Sequence, residues 1–148
     1  MSEQPLVTIT RQSGYRFLVD FGQDTPQWLA DEPAPLGQGA GPSPDDMLMA
    51  AVANCLSASL IFALQKFKQD PGTLVATATP TVERNEHKRM RITGIRVQIA
   101  LGRAAGEIEH LDRVLTQFED FCTVSMSIRD GISIAVQITD SSGAPLKG

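Results

Sequence analysis

The feature that most constrains the fold is a run of 18 residues, Met47 to Leu64, that contains no charged side chain. Helix signals frame this run. Ser43-Pro44 supplies an N-cap followed by a proline at the first helical position, and Asp70-Pro71-Gly72 stops a helix. The sequence therefore predicts one long helix, apolar on all sides, that continues to about Gln69.

The same run is just long enough to span a membrane. Five alanines, Asn54, Ser57 and Ser59 make it only moderately hydrophobic, and no basic residues flank its start. We expect instead a central core helix, covered by a sheet on one face and by another element elsewhere. No membrane partner is predicted.

The remaining segments alternate between strand and helix patterns. A Pro- and Gly-rich stretch, Gly22 to Ser43, is long for a loop inside a compact domain and is typical of a functional segment. Pro80 lies inside the predicted strand Leu74–Glu83 and indicates that this strand is at a sheet edge or has a bulge. The sequence predicts one α+β domain over 1–148, in the order ββ-α-ββ-α-(short α)-β with mainly antiparallel sheet. Besides the long helix, the predicted elements are strands Val7–Arg11, Tyr15–Phe21, Leu74–Glu83, Met90–Leu101 and Ile132–Thr139, a helix Glu107–Phe121 and a helical turn Val124–Arg129.

Charge and composition argue against some classes of function. The chain has 148 residues, a net charge of −4 and a pI of about 5.1, which disfavours binding to nucleic acid. Its first residues lack the basic and apolar regions of a secretory signal, so we expect a cytoplasmic protein. In that compartment the two cysteines are more often free, catalytic or transiently bonded than a permanent disulfide.

Taken alone, each cysteine reads as a small hydrophobic core residue. Cys55 lies near the middle of the long apolar helix, and Cys122 ends the amphipathic helix in register with its apolar face. Burial without a nearby cation raises the pKa of a thiol and makes it inert. The two are 67 positions apart, so the sequence leaves open whether they meet.

Other chemistries have weaker support. Cys55, His87, His110 and Cys122 do not show the close pairing of a zinc site, and no metal or cofactor is predicted. The glycines before the long helix lack the lysine and spacing of a phosphate-binding loop. Both histidines read as surface residues.

Two runs of sequence carry a family resemblance. The run Gly41 to Cys55, a Pro-acid helix start that passes through small residues to a cysteine, resembles the first cysteine motif of the OsmC/Ohr family. The run Phe121 to Ile128 resembles the second motif, although Thr123 replaces the usual proline. The predicted element order is also similar over essentially the whole chain. The resemblance implies an OsmC-like fold, assembled as an intertwined homodimer.

The resemblance also implies a thiol peroxidase. Cys55 would attack an organic hydroperoxide and become a sulfenic acid, Cys122 would condense with it to a disulfide, and an external dithiol would reduce that disulfide. An arginine near the first hairpin would activate Cys55, with Arg11 fitting the family position better and Arg16 as its competitor. A carboxylate would hold that arginine, and Asp45 stands where the family usually has Glu.

Three methionines, Met47, Met49 and Met126, are candidates to line a pocket for a hydrophobic peroxide, or else plain core residues. Two alternatives to a peroxidase remain open. One is an OsmC-like protein that binds a small ligand with little or no peroxidase activity. The other is a purely structural dimer with inert cysteines.

Overall fold

The computed structural model describes residues 6–148 and contains two compact units. The N-terminal unit ends at Leu48, and the C-terminal unit runs from Met49 to Gly148. The assignment of 1–148 to a single domain stays a prediction.

The N-terminal unit is built on a three-stranded antiparallel sheet of β1 (Thr8–Ser13), β2 (Arg16–Asp20) and β3 (Trp28–Ala30). The first two predicted strands, Val7–Arg11 and Tyr15–Phe21, are confirmed and pair as a hairpin of β1 and β2. Gly14 lies in its turn with a positive φ of 51°, which glycine adopts without strain. β3 falls inside the predicted loop. Its three residues are too few to show an alternating pattern, and its pairing with β2 defines it.

Helix α1 spans Pro44–Gln65. The Ser43 hydroxyl accepts a hydrogen bond from the Asp46 amide (3.2 Å), and the Asp46 carboxylate accepts one from the Ser43 amide (3.0 Å). This reciprocal cap satisfies two amides that a helix start leaves unpaired. α1 ends one turn before the predicted Gln69, because Lys68 adopts a left-handed backbone conformation (φ 56°).

The sheet of the C-terminal unit has four strands in chain order: β4 (Val75–Arg84), β5 (Met90–Ala100), β6 (Ser133–Thr139) and β7 (Pro145–Lys147). β4 is its outer strand, as Pro80 predicts. The pairs β4–β5 and β6–β7 are antiparallel, whereas β5 and β6 run parallel. Parallel neighbours need a long crossover, and residues 101–132 supply it with helices.

The helix predicted over Glu107–Phe121 is wrong at its start and in its continuity. The structure has a 3₁₀ turn (Ala105–Glu107), helix α2 (Leu111–Gln117) and a second 3₁₀ turn (Phe118–Phe121). His110 separates the first turn from α2 because its φ of 61° is left-handed. Helix α3 (Thr123–Ile128) matches the predicted short turn to within one residue.

One face of α1 is buried and the other is exposed. Val52, Leu56, Leu60 and Leu64 are fully buried at helical spacing. The opposite face exposes small residues and Phe62. By length and composition α1 could cross a membrane, a test that core helices of soluble proteins also pass, and 39% of its most apolar window is buried.

The α+β class with mainly antiparallel sheet is confirmed. The prediction lacked two strands, β3 and β7, each of only three residues. The intertwined homodimer stays a prediction.

Candidate functional site

The structure brings the two cysteines together in the C-terminal unit. Cys55 projects from α1 and is half-buried, whereas Cys122 is fully buried. Both are free thiols, and the Cys55 side chain lies close enough to Cys122 to influence the pKa of the Cys122 thiol. The pair therefore consists of one partly accessible thiol and one enclosed thiol.

The surroundings of Cys122 keep it protonated. Burial raises the pKa of this thiol because the thiolate loses its hydration, and the neighbouring Cys55 thiol raises it further. Hydrogen bonds from Ser125 act in the opposite direction and offset part of the increase. Cys122 is consequently a thiol rather than a thiolate near neutral pH.

Local sequence explains the position of Cys122. It is the N-cap residue of α3, and its sulfur accepts a hydrogen bond from the Ser125 amide at 3.4 Å. The Ser125 hydroxyl donates in turn to the Cys122 carbonyl, also at 3.4 Å. The serine of the Cys-x-Val-Ser run thus fixes the cysteine. Thr123 begins α3.

The two candidate arginines of the N-terminal unit have different surroundings. Arg11 is exposed, and its Nε donates to the Gly14 carbonyl of its own hairpin at 2.9 Å. Arg16 begins β2, and its Nε lies 3.5 Å from an Asp31 carboxylate oxygen. Its Nη2 also donates to the Gln38 side chain. Arg16 is therefore the arginine that other side chains hold in place.

Asp31 is a site residue that the sequence analysis missed. Its side chain is 1% exposed and accepts hydrogen bonds from the amides of Glu32 (2.8 Å), Gln38 (3.1 Å) and Ala40 (3.1 Å). These amides, led by Ala40, lower the pKa of Asp31 despite its burial, and Arg16 adds a smaller effect. The available signal was an acidic residue inside the Pro- and Gly-rich stretch Gly22 to Ser43, where Asp commonly accepts hydrogen bonds from backbone amides.

Above Arg16 and Asp31 a cleft of about 230 Å³ opens within the N-terminal unit. Tyr15 and Leu36 contribute to its lining. The predicted carboxylate, Asp45, lies instead in the exposed first turn of α1, beside the capping residue Asp46. The role of Asp45 stays a prediction.

Comparison with known proteins decides the family. The model of the family described as OsmC-like protein matches residues 37–137, which is more than half of the chain. This chain belongs to the OsmC-like family. No curated protein sequence matches it.

Several solved structures share the fold of this chain at low sequence identity. An osmotic stress-induced and detoxification response protein from Psychrobacter arcticus is 20% identical with a TM-score of 0.77, over 94% of this chain and 98% of that one. The OsmC-like protein from Mycoplasma pneumoniae is 15% identical with a TM-score of 0.75, over 95% and 99%. The organic hydroperoxide resistance protein OhrB of Bacillus subtilis is 14% identical with a TM-score of 0.68, over 93% and 98%.

The three candidate pocket methionines of this OsmC-like chain have unequal exposure. Met49 is buried, Met47 is half-buried, and Met126 is 44% exposed. The Met126 sulfur contacts an Arg129 nitrogen at 3.1 Å. Their part in a substrate pocket stays a prediction.

The candidate reactive groups that the structure places near each other are the thiols of Cys55 and Cys122. Within residues 6–148, no three His, Cys, Asp or Glu side chains are grouped so as to hold a metal ion. A partly accessible thiol beside a buried one can accept an oxidising equivalent and pass it to a disulfide.

Proposed function

We propose that this OsmC-like protein reduces organic hydroperoxides in the cytoplasm, using Cys55 as the attacking thiol and Cys122 as the resolving thiol. The observation that carries the proposal is the proximity of the two side chains, with Cys55 the more accessible. Family membership supports the reaction class, since solved relatives include organic hydroperoxide resistance proteins.

In the first step the Cys55 thiolate attacks the distal oxygen of the hydroperoxide. The O–O bond breaks, the alkoxide takes a proton and leaves as an alcohol, and Cys55 becomes a sulfenic acid. In the second step the Cys122 sulfur attacks the Cys55 sulfur and breaks its S–O bond. The hydroxide leaves with the Cys122 proton as water, and a Cys55–Cys122 disulfide forms.

An external dithiol completes the cycle. It supplies two electrons and two protons by thiol exchange and is itself oxidised to a disulfide. The unequal exposure of the pair suits this order of events. Cys55 is accessible to the substrate. Cys122 is buried close to it, so that disulfide formation limits further oxidation of the sulfenic acid.

Oxidation kinetics test the proposal. We expect the reduced protein to react with cumene hydroperoxide much faster than a free thiol at the same pH, measured by stopped flow. C55S abolishes the reaction. In C122S, Cys55 still reacts, using one equivalent of peroxide to form sulfenic acid and a second to form sulfinic acid, measured by mass spectrometry. A wild-type rate no higher than that of a free thiol would refute the peroxidase.

The arginine and carboxylate of the family resemblance are tested in the same assay. R16M, R11M and D45N are compared for the rate constant of Cys55 oxidation. The arginine that assists the reaction is the one whose loss lowers this constant by about tenfold or more, since a lost charge-assisted contact costs on the order of 1.5–3 kcal/mol.

The alternative is a small-ligand-binding protein with little or no peroxidase activity. The observation that favours it is the cleft over Arg16, where a guanidinium is already held by Asp31 and Gln38. Such a cleft suits a small anion. Two results together would support this function instead of the peroxidase. Calorimetry would show that the wild-type protein binds a short carboxylate and that R16M does not, and Cys55 oxidation would be slow.

A further inference from the structure

One lysine joins strand β7 to the segment that precedes Cys122. Lys147 is the last residue of β7 and pairs with Ile138 of β6. Its Nζ lies 2.5 Å from a Glu119 carboxylate oxygen and donates a hydrogen bond to the Leu115 carbonyl at 2.7 Å. We call the contacts of the Lys147 ammonium with Glu119 and Leu115 the lysine clasp.

The clasp is half-buried. The side chains of Lys147 and Glu119 are 30% and 31% exposed. The same ammonium lies 5.3 Å from the ring centroid of Phe118, which is fully buried. A carboxylate, a carbonyl and an aromatic ring thus contact one cation, which holds its side chain more firmly than a single exposed ion pair does.

The clasp reaches Cys122 through the backbone. Leu115 lies in the last turn of α2, and Glu119 lies in the 3₁₀ turn Phe118–Phe121, which ends directly before Cys122. The Cys122 amide donates a hydrogen bond to the Glu119 carbonyl at 3.1 Å. Lys147 therefore holds the residue whose carbonyl holds Cys122.

We propose that Lys147 is a positioning residue for Cys122 in its role as the resolving thiol. The clasp keeps the turn before Cys122 where its sulfur can attack the Cys55 sulfenic acid, so that the sulfur–sulfur bond forms, the sulfur–oxygen bond breaks and water leaves. A displacement of about 1 Å slows such a reaction strongly, even when its cause is far from the reacting atoms. This inference rests on the proposed peroxidase and concerns only its second step.

Two rates measured on the same samples test the proposal. After mixing with cumene hydroperoxide, acid quench and mass spectrometry follow first the oxidation of Cys55 and then the formation of the disulfide. We expect K147M to keep the first rate at the wild-type value and to slow the second about fivefold, the effect of losing one partly exposed ion pair. K147R can still pair with Glu119 and should keep both rates.

Further variants separate positioning from a general loss of stability. E119Q should slow the second step as K147M does, and K147M/E119Q should be no slower than either, because all three lose the same ion pair. R103M is the matched control. The Nε of Arg103 lies 3.7 Å from a Glu107 carboxylate oxygen, and its Nη2 donates to the Glu107 carbonyl, so R103M loses similar contacts away from Cys122. It should leave the second rate unchanged.

An unchanged second rate in K147M would overturn the inference, as would equal slowing in R103M. Neither result affects the proposed peroxidase, which depends on the first rate.

The second step can also be measured without a peroxide. Dipyridyl disulfide forms a mixed disulfide at Cys55 and releases one pyridinethione. Attack by the Cys122 sulfur then forms the Cys55–Cys122 disulfide and releases a second pyridinethione, whose absorbance gives the rate. K147M should slow this second release about fivefold, even if Cys55 does not reduce peroxides. Equal second release in K147M and wild type would again overturn the inference.

Discussion

The turn between β6 and β7 is stabilised by the buried carboxylate of Asp140. One of its oxygens accepts hydrogen bonds from the Ser142 amide (2.9 Å), the Ser142 hydroxyl (2.7 Å) and the Ala144 amide (3.1 Å). The other accepts one from the Ala105 amide at 2.9 Å. Led by the Ser142 hydroxyl, these donors lower the pKa of Asp140 to about 2.

We expect Asp140 to make the fold sensitive to acid. Its folded-state pKa lies below the usual Asp value of 3.8, so its stabilisation is complete above that pH and is lost as pH falls toward 2. In thermal melts followed by circular dichroism, D140N should be less stable than wild type at pH 7 and should lose less stability between pH 4 and 2. D24N, an exposed control, should follow wild type. Parallel pH curves for D140N and wild type would contradict the prediction.

Cys122 leads to a second prediction at the residue scale. Because its pKa is raised, the thiolate fraction is small near neutral pH, and disulfide formation should speed up about tenfold per pH unit below that pKa. S125A removes a hydrogen bond that lowers the pKa, so it should slow disulfide formation at a given pH. Rapid acid quench and mass spectrometry measure the step. A rate independent of pH between 7 and 9 would argue against the assignment of Cys122.

At the scale of elements, the segment 31–40 folds around Asp31. Its backbone amides at three positions point to one buried carboxylate, which also faces Arg16. Gly37 permits this packing. A Cβ there would lie 2.2 Å from the Glu32 carbonyl oxygen and 2.3 Å from an Asp31 carboxylate oxygen.

We expect G37A to destabilise the packing of segment 31–40 around Asp31. Neither the Glu32 backbone nor the held carboxylate can move away without breaking hydrogen bonds, so we expect a cost of about 2–3 kcal/mol of unfolding free energy. Amides of 32–40 should then exchange hydrogen faster by mass spectrometry. G106A is the matched control, because a Cβ at Gly106 meets nothing within 4 Å. Equal loss of stability in both variants would rule out the clash as the cause.

At the scale of the whole molecule, the exposed face of α1 supports the proposed homodimer. Ala50, Ala51, Asn54 and Ala58 are all exposed and small, which lets a second helix approach closely. A second copy of this chain would cover apolar surface that its own C-terminal unit leaves in contact with water.

We expect the protein to sediment as a dimer and A58R to shift it to the monomer, because an arginine adds bulk and an unpaired charge at the contact. E86R, in the exposed turn between β4 and β5, is the control and should stay dimeric. Sedimentation velocity over a range of concentrations measures the change. A monomeric wild type, or a dimeric A58R, would contradict the prediction.

The sequence by itself determined the elements whose signals are local. Ser43, Asp46 and the uncharged run after them specify α1 through capping and periodicity, and alternating apolar residues specify β5. The two cysteine motifs indicated the family, which the match over 37–137 confirmed. These signals act between residues a few positions apart, so they can be read without the fold.

Only the tertiary structure decided which segments meet. Three features join residues that are distant in the chain: the proximity of Cys55 to Cys122, the pairing of Arg16 with Asp31, and the parallel alignment of β5 with β6. β3 and β7 exist because longer strands supply them with hydrogen-bond partners. Local patterns indicate which face of an element is apolar. Which segment packs against that face depends on the tertiary fold.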